Sequence, residues 1–315
     1  GFEGATAVTP LPGGALAVVD ARTHSVYEIG PAPNHRIDRI AGDGNLSNDP
    51  AFDGVPAAQA RFFSPTGILY VEGGIIVADT YNHCIRKIQD GGSRQTFTIA
   101  GTMGVAGFND GPGASALFDM PMGLAQDPVT GDILVADANN HRIRSIELGT
   151  WTVRTLAGSG PGDLDGPASL ARFYYPTAVA AGPDGAVYVA ASGSSSILRI
   201  DPKAPRAVTT IAGGVAGYAD GSGLTARLAP QGGLAWTGSG LLVSDPVNYR
   251  VRKVVPGATA AATTVGTFAG SGRFGAADGP GDEADIPLPL GLAADEAGVV
   301  YLVDGGNGSI RAIDP

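Results

Sequence analysis

Three histidines recur at one step of the chain. His24, His83 and His141 each follow an aspartate by four residues (Asp20, Asp79, Asp137), and three imidazoles in register are the raw material of a zinc site. Distance argues against one. Equivalent points on neighbouring packed sheets lie about 10 Å apart, whereas zinc needs each nitrogen at about 2.0 to 2.1 Å. Each histidine is therefore expected to tie down its own turn, and His35 has no counterpart. The carboxylates and guanidiniums recur as well. Asp79, Asp137, Asp245 and Asp304 precede Arg86, Arg144, Arg252 and Arg311 by seven residues. One copy replaces both members, with Ala191 and Leu198, as a paired structural interaction tolerates; Asp20 faces Tyr27 in another copy. Catalysis needs one convergent site rather than dispersed copies of an acid, so these residues are assigned to structure and no catalytic residue is assigned.

A second set lies between the repeats. Asp53, Asp110, Asp165, Asp220 and Asp278 each precede glycine, the composition of Asx turns in which a carboxylate caps nearby backbone N–H groups. A calcium site would need six to eight oxygens, and the richest groups are Asp163 with Asp165, and Asp282 with Glu283 and Asp285. No metal is expected. Just before these aspartates stand Phe52, Phe108, Leu164, Tyr218 and Phe274. Such residues pin a loop onto the next unit and are then buried; exposed, they form with His83 and His141 a contact surface for a protein or glycan. The exposure of Phe108 and Tyr218 decides between the two.

The elements that carry these residues are short strands. The position of Asp20 recurs at 79, 137, 191, 245 and 304, so one unit fills the chain. In the second unit, Gly67–Val71, Ile75–Asp79, Cys84–Ile88 and Gln95–Gly101 are apolar or alternating runs separated by turn residues. A four-stranded meander of this length is one propeller blade. The fold class expected is all-β: a six-bladed β-propeller of four-stranded antiparallel blades, one domain over 1–315, with blades near 1–44, 45–102, 103–158, 159–213, 214–270 and 271–315. Composition agrees, since 43% hydrophobic residues supply a core while 49 Gly and 23 Pro exclude long helices. Small inner runs such as Gly123-Leu124-Ala125 and Gly291-Leu292-Ala293 suit the crowded axis. The outer-strand ending Ala-Gly occurs five times (Ala41-Gly42, Ala100-Gly101, Ala157-Gly158, Ala212-Gly213, Ala269-Gly270), so the last blade lacks its outer strand. That edge is expected to pair with an external strand or with Gly1–Glu3.

Asp79-Thr80-Tyr81-Asn82-His83-Cys84-Ile85-Arg86-Lys87-Ile88 and Asp137-Ala138-Asn139-Asn140-His141-Arg142-Ile143-Arg144-Ser145-Ile146 resemble the NHL repeat, a β-propeller repeat. The inter-blade pattern Ala100-Gly101, Asp110-Gly111-Pro112-Gly113, Ala116-Leu117-Phe118, Pro121 strengthens the resemblance and recurs one unit later. Proteins similar to this subgroup include extracellular and lumenal multi-domain proteins whose propeller is a recognition platform. More distant resemblance reaches metal-dependent propeller lyases and lactonases, which need several inward-pointing histidines on different blades. Four histidines, three of them on one turn, do not supply that set.

Charge narrows the partners. A net charge of -10 without a Lys/Arg cluster excludes nucleic acid and anionic membrane surfaces, and no run of 18 apolar residues spans a bilayer. No phosphate loop, nucleophile elbow or Cys-x-x-Cys pair is present, so no cofactor is expected. Cys84 is alone and reads as a buried small hydrophobe. Asn45-Leu46-Ser47 and Asn307-Gly308-Ser309 are candidate glycosylation acceptors, and Gly1 opens the chain without Met or a signal-like segment, as after removal of a leader or excision from a larger parent. The two acceptors lean towards an extracellular, cell-surface or lumenal compartment. The reading is a non-catalytic protein- or glycan-binding or scaffolding module of a larger assembly. The alternative is a metal-dependent hydrolase or lyase with its site at the central channel, to be sought first at the pattern-breaking residues Gln126, Trp236, Asn248 and Glu296.

Overall fold

The computed structural model describes residues 1–229 and 232–314. Six small antiparallel sheets follow one another along the chain. Blade one holds β1 (Ala5–Pro10), β2 (Leu16–Asp20), β3 (Ser25–Ile29) and β4 (Ile37–Ala41). Blade two holds β5 (Val55–Pro56), β6 (Gly67–Val71), β7 (Gly74–Asp79), β8 (Cys84–Gln89) and β9 (Gln95–Ala100). Blade three is β10 (Pro121–Gln126), β11 (Ile133–Asp137), β12 (Arg142–Ile146) and β13 (Val153–Ala157). Blade four is β14 (Gly166–Pro167), β15 (Pro176–Ala181), β16 (Val187–Ala191), β17 (Ser196–Ile200) and β18 (Ala207–Gly213). Blade five is β19 (Gly221–Ser222), β20 (Leu234–Thr237), β21 (Gly240–Asp245), β22 (Arg250–Val255) and β23 (Thr264–Ala269). Among the described residues, blade six has β24 (Pro289–Ala294), β25 (Val300–Asp304) and β26 (Ser309–Ile313) only. The two-residue strands β5, β14 and β19 add a fifth, outermost member to blades two, four and five.

The inner strands close the ring. β1 packs on β6, β6 on β10, β10 on β15, β15 on β20, β20 on β24, and β24 back on β1. The architecture is a six-bladed β-propeller. The second strand of each of the first five blades is buried along its whole length, because neighbouring blades cover both of its faces. Continuous runs such as Ile75-Ile76-Val77-Ala78 follow from that two-sided burial. At the axis the backbones approach so closely that a Cβ on Gly291 would stand 2.5 Å from Ala7 Cα. Glycine is required there by space.

The three-stranded last blade follows the count of Ala-Gly endings. The expectation that Gly1–Glu3 fill its edge does not hold: Phe2 N–H donates to Gly308 O at 2.9 Å, and Glu3 and Gly4 N–H go to Asp20 Oδ2 at 3.0 Å. Asp20 captures these residues at blade one, and among the described residues β26 pairs with β25 alone.

Gly291→Val is expected to lower the stability by about 1–3 kcal/mol or more through this overpacking. Gly92→Ala, where an added Cβ meets nothing within 4 Å, should stay within about 0.5 kcal/mol of the parent. Urea denaturation of the two variants reads the difference; equal loss, or no loss at Gly291, would contradict the close-packed axis.

Candidate functional site

The largest fully buried side chains are arginines: Arg86, Arg144 and Arg252 are each 0% exposed. Each guanidinium lies between two carboxylates. The first closes the second strand of its own blade, with Arg86–Asp79 at 3.3 Å, Arg144–Asp137 at 2.7 Å and Arg252–Asp245 at 2.9 Å. The second comes from the Asp-Gly loop that precedes the blade, with Asp53 at 3.3 Å, Asp110 at 2.6 Å and Asp220 at 2.5 Å. The same guanidinium donates to backbone carbonyls at both ends of that loop, Phe52 and Arg61 for Arg86, Asn109 and Leu117 for Arg144, Ala219 and Arg227 for Arg252. Buried aromatic rings complete the enclosure, Phe62 under Arg86 and Phe118 under Arg144. Arg311 repeats the arrangement with Asp304, Asp278 and the carbonyls of Asp285 and Ala277. Each arginine thus clamps one inter-blade loop.

The loop aspartates are not closed Asx turns. Asp53 accepts the N–H and hydroxyl of Thr98 (2.7 and 3.1 Å), Asp110 those of Thr155 (3.1 and 3.2 Å), and Asp165 those of Thr210; Asp220 accepts the Thr267 hydroxyl. A two-residue turn offers fewer donors than an adjacent outer strand, so the carboxylate reaches across to that strand. Blade four lacks the arginine, yet Asp165 keeps this link, and Leu198 fills the vacated core at 2% exposure.

The histidines correct a second expectation. They do not tie down their own turns; each lies in the left-handed region (φ 51, 54 and 56°) and reaches the next blade. Nδ1 of His24, His83 and His141 accepts the N–H of Ser64, Met120 and Tyr175, each at 3.1 Å. At the second blade the neighbouring amide, Phe63, is taken by Asp79 at 2.7 Å; at the third, Asp119 N–H is taken by Asp137 at 2.9 Å. Successive amides are thus divided between a blade's own aspartate and the previous blade's histidine. The Ala-Gly endings belong to the same joint, since Gly101 has φ 92° and a Cβ there would meet His83 O at 2.8 Å. Asp304 has one buried oxygen without a partner. Two residues before the sheet of blade six, where the other blades present an amide, the chain has Pro287, which has no N–H.

Above the clamps the loop face carries exposed rings. Asn82, Asn140, Asn248 and Asn307 each bridge their aspartate to the carbonyl of an inter-blade loop (Ser47, Gly107, Gly217, Gly275), which places those loops on the face of the histidine turns. Asn248 is therefore a repeat position and no exception. Phe108 and Tyr218 are each 46% exposed and Phe274 71%; the expectation of burial fails for them, while Phe52 is half-buried under Arg61 at 3.9 Å. Arg142 lies 4.1 Å from the Phe108 centroid and Arg250 4.1 Å from that of Tyr218, so each ring rests on a cation and turns its other face to water. His83 and His141 are half-buried among them, and Tyr81, Tyr174, Leu164, Val105, Val215 and Val247 add exposed apolar surface.

The remaining candidates do not converge. Gln126 donates to its own turn at Gly131 O, Trp236 stacks on Tyr188 at 5.1 Å, and Glu296 is exposed in the β24–β25 turn. The central channel, 230 Å³, is lined by Thr6, Thr66, Met122, Thr177, the inner glycines and aliphatic residues, with no ionisable side chain among the described residues. Among the described residues no three His, Cys, Asp or Glu side chains gather at metal-binding distance, and Asp285 is engaged by Ser271 and Arg273. Cys84 is buried, and burial pushes its thiol well up.

Fold and joints together define a six-bladed propeller built from a repeated clamp. The NHL repeat matches residues 62–88 and 118–144, which hold the Asp79–Arg86 and Asp137–Arg144 clamps, so the propeller carries NHL repeats at its second and third blades. It is 29% identical over 284 residues to the chloroplastic protein SUPPRESSOR OF QUENCHING 1 of Arabidopsis thaliana, covering 85% of this chain and 26% of that protein. It is 29% identical over 293 residues to NHL repeat-containing protein 2 of Bos taurus, covering 82% and 40%. The chain thus spans well under half the length of these relatives. In structure it resembles an auxiliary nutrient binding protein from Bacteroides thetaiotaomicron, with a TM-score of 0.71 at 17% identity, covering 99% of this chain and 69% of that one.

Asp137→Ala leaves Arg144 buried beside a lost partner and is expected to cost about 3–5 kcal/mol. Asp137→Ala with Arg144→Leu, the pair blade four carries, should recover a substantial part of that loss; additive losses in urea denaturation would refute the clamp as a coupled unit. Burial depresses the three latch imidazoles below their ordinary 6.5, and in His83 this outweighs the Asp119 carboxylate 3.4 Å away. Their stabilisation is present above 6.5 and lost as the pH falls through the depressed values. Asp79 and Asp137 act in the opposite sense: burial pushes them up to about 6, against the pull of Arg86 and Arg144, so their contribution is full below 3.8 and lost as the pH rises through about 6. Nitrogen-15 NMR of the rings should place all three imidazole midpoints below 6.5; a midpoint at or above 6.5 would contradict the latch.

Proposed function

We propose that residues 1–315 form one NHL-type domain that acts as a non-catalytic protein-binding module, recognising its partner with the loop face. The observation that carries this reading is the set of exposed rings on the loop face, Phe108 and Tyr218 resting on arginine and Phe274 edge-on to Tyr249, at 46, 46 and 71% exposure. Monomer surfaces place few large rings in water, whereas interface cores are enriched in aromatics and arginine. The valines and Leu164 between the rings favour a protein over a glycan, since aliphatic surface gives a sugar no hydrogen-bond partner. His83 and His141 would set the joints beneath the contact.

Further support comes from size and charge. The relatives are longer than this chain, in keeping with a module of a larger assembly, and the net charge of -10 disfavours nucleic acid. A lumenal, cell-surface or extracellular setting is consistent with the exposed Asn45 acceptor. Asn307 is less suited, because its amide nitrogen already joins Asp304 to Gly275. Among the described residues, the groups lining the channel are aliphatic residues, glycines, threonines and Met122.

The triple variant Phe108→Ser, Tyr218→Ser, Phe274→Ser is expected to fold, since the rings are outside the core, and to lose partner binding about 100-fold or more. Val129→Ser, at an exposed turn on the opposite face, should bind as the parent does. Quantitative cross-linking mass spectrometry against native extract, with a glycan array beside it, reads the outcome. Equal recovery by parent and triple variant, or binding to glycans alone, would overturn the assignment.

A further inference from the structure

One charge on the loop face stands outside the repeat. Asp119 lies two residues before Pro121, which opens the inner strand of blade three, and the equivalent positions of blades two, four, five and six are Phe63, Tyr174, Ala229 and Pro287. Its side chain is 29% exposed, and among the described residues it forms no ion pair with lysine or arginine. The neighbouring imidazole does not compensate it. His83 Nδ1 accepts the Met120 N–H at 3.1 Å and so carries no proton there, yet Asp119 Oδ1 stands 3.4 Å from the same nitrogen. Two acceptors face each other. Asn139 Nδ2 donates to Oδ1 at 3.1 Å, and among the described residues Oδ2 accepts no hydrogen bond.

Rings from both neighbouring blades flank this carboxylate. In blade two, Tyr81 is 47% exposed and lies on Phe63 at 5.2 Å between centroids. In blade four, Tyr174 is 48% exposed beside His141 at 6.1 Å, and the half-buried Tyr175 follows it. The groups act on one another. Burial raises the Tyr175 phenol, and Tyr81 and Asp119 raise it further; burial and Arg142 lower the His141 imidazole, and Asp119 pulls it back. Asp119 therefore sits between the tyrosines, at the rim of the channel that Met122 and Thr177 line.

The chain itself shows what such a set holds. Arg144 lies against Asp110 and Asp137, with the rings of Phe108 and Phe118 at 4.9 and 5.0 Å. A guanidinium suits both neighbours, its fork matching the carboxylate and its plane the ring, whereas an ammonium is a strongly hydrated point charge. Asp119 with Tyr81 and Tyr175 offers the same surroundings without an arginine of its own.

We propose that the patch at Asp119 receives an arginine side chain of the protein partner, with its guanidinium on Asp119 Oδ2 and its plane against the flanking tyrosines. This rests on the reading of the loop face as a contact surface and names the group that the face recognises. The described ends of the chain lie across the ring: Phe2 and Glu3 are held by Gly308 and Asp20, and Ile313 closes the last strand of blade six, opposite blade three.

The test is a nitrogen-15 NMR titration of the parent chain with N-acetyl-L-arginine methylamide, beside its neutral isostere N-acetyl-L-citrulline methylamide. Saturable shifts of the Met120 and Asn139 amides are expected with the arginine probe. Binding should weaken about ten-fold or more with the citrulline probe, and equally for the arginine probe on Asp119→Asn. That variant keeps an oxygen for the Asn139 amide, and an unchanged melting curve verifies its fold. A titration of the parent that does not saturate, equal binding of the two probes, or equal affinity of parent and Asp119→Asn would overturn the proposal. Failure of the probe removes the arginine site alone. Equal partner binding by the triple ring variant removes the loop-face reading and, with it, the partner as the source of the arginine.

Discussion

Everything on the loop face depends on a guanidinium that water cannot reach. Burying a charge is costly, and an ion pair in the interior repays the cost only when geometry and hydrogen bonding are nearly complete. Arg144 meets that condition. Two carboxylates, two backbone carbonyls and two aromatic rings surround it. What it secures is a loop that has little apolar surface of its own to bury, fastened at both ends and at its aspartate. Blade four shows the alternative, where Ala191 and Leu198 exchange the clamp for plain packing and Asp165 still holds the outer strand. The pair therefore serves loop geometry as much as stability.

That geometry has a visible product. A loop held from below can present a ring that is not itself needed for the core, and Phe108 and Tyr218 stand on Arg142 and Arg250 in this way. The histidine latches add the lateral constraint, each joining one blade to the amide of the next, so that rings on different blades keep their spacing. Preorganisation of this kind lowers the ordering cost of association. Where a joint is incomplete, sequence explains it: Pro287 has no N–H to give, and Asp304 is left with an unpartnered oxygen.

The repeat made the propeller legible, because six copies of one strand signature are hard to misread and the four strands of the second unit fall where the apolar runs end. The Asp–Arg pairs were legible too, since seven residues separate neighbours across one hairpin. The second carboxylate was not. Asp53 and Arg86 lie 33 residues apart, and His24 and Ser64 40, distances at which a local pattern says nothing about contact. The cue lay in the co-occurrence of Asp-Gly with arginine in four units, and in the arginine two residues earlier in blades three and five, Arg142 and Arg250. Strands β5, β14 and β19 are too short to carry a period. Exposure of the rings escaped sequence reasoning because it depends on which side of a loop faces the guanidinium.

Native-state hydrogen exchange, read by mass spectrometry on the free protein, tests the clamp most directly. The loops at 102–118 and 214–228, clamped by fully buried arginines under complete blades, should exchange slowly, and the loop at 271–286, whose Asp278 faces water, should exchange much faster. Uniformly fast exchange of all three loops would contradict an account in which buried arginine holds the loop face in place.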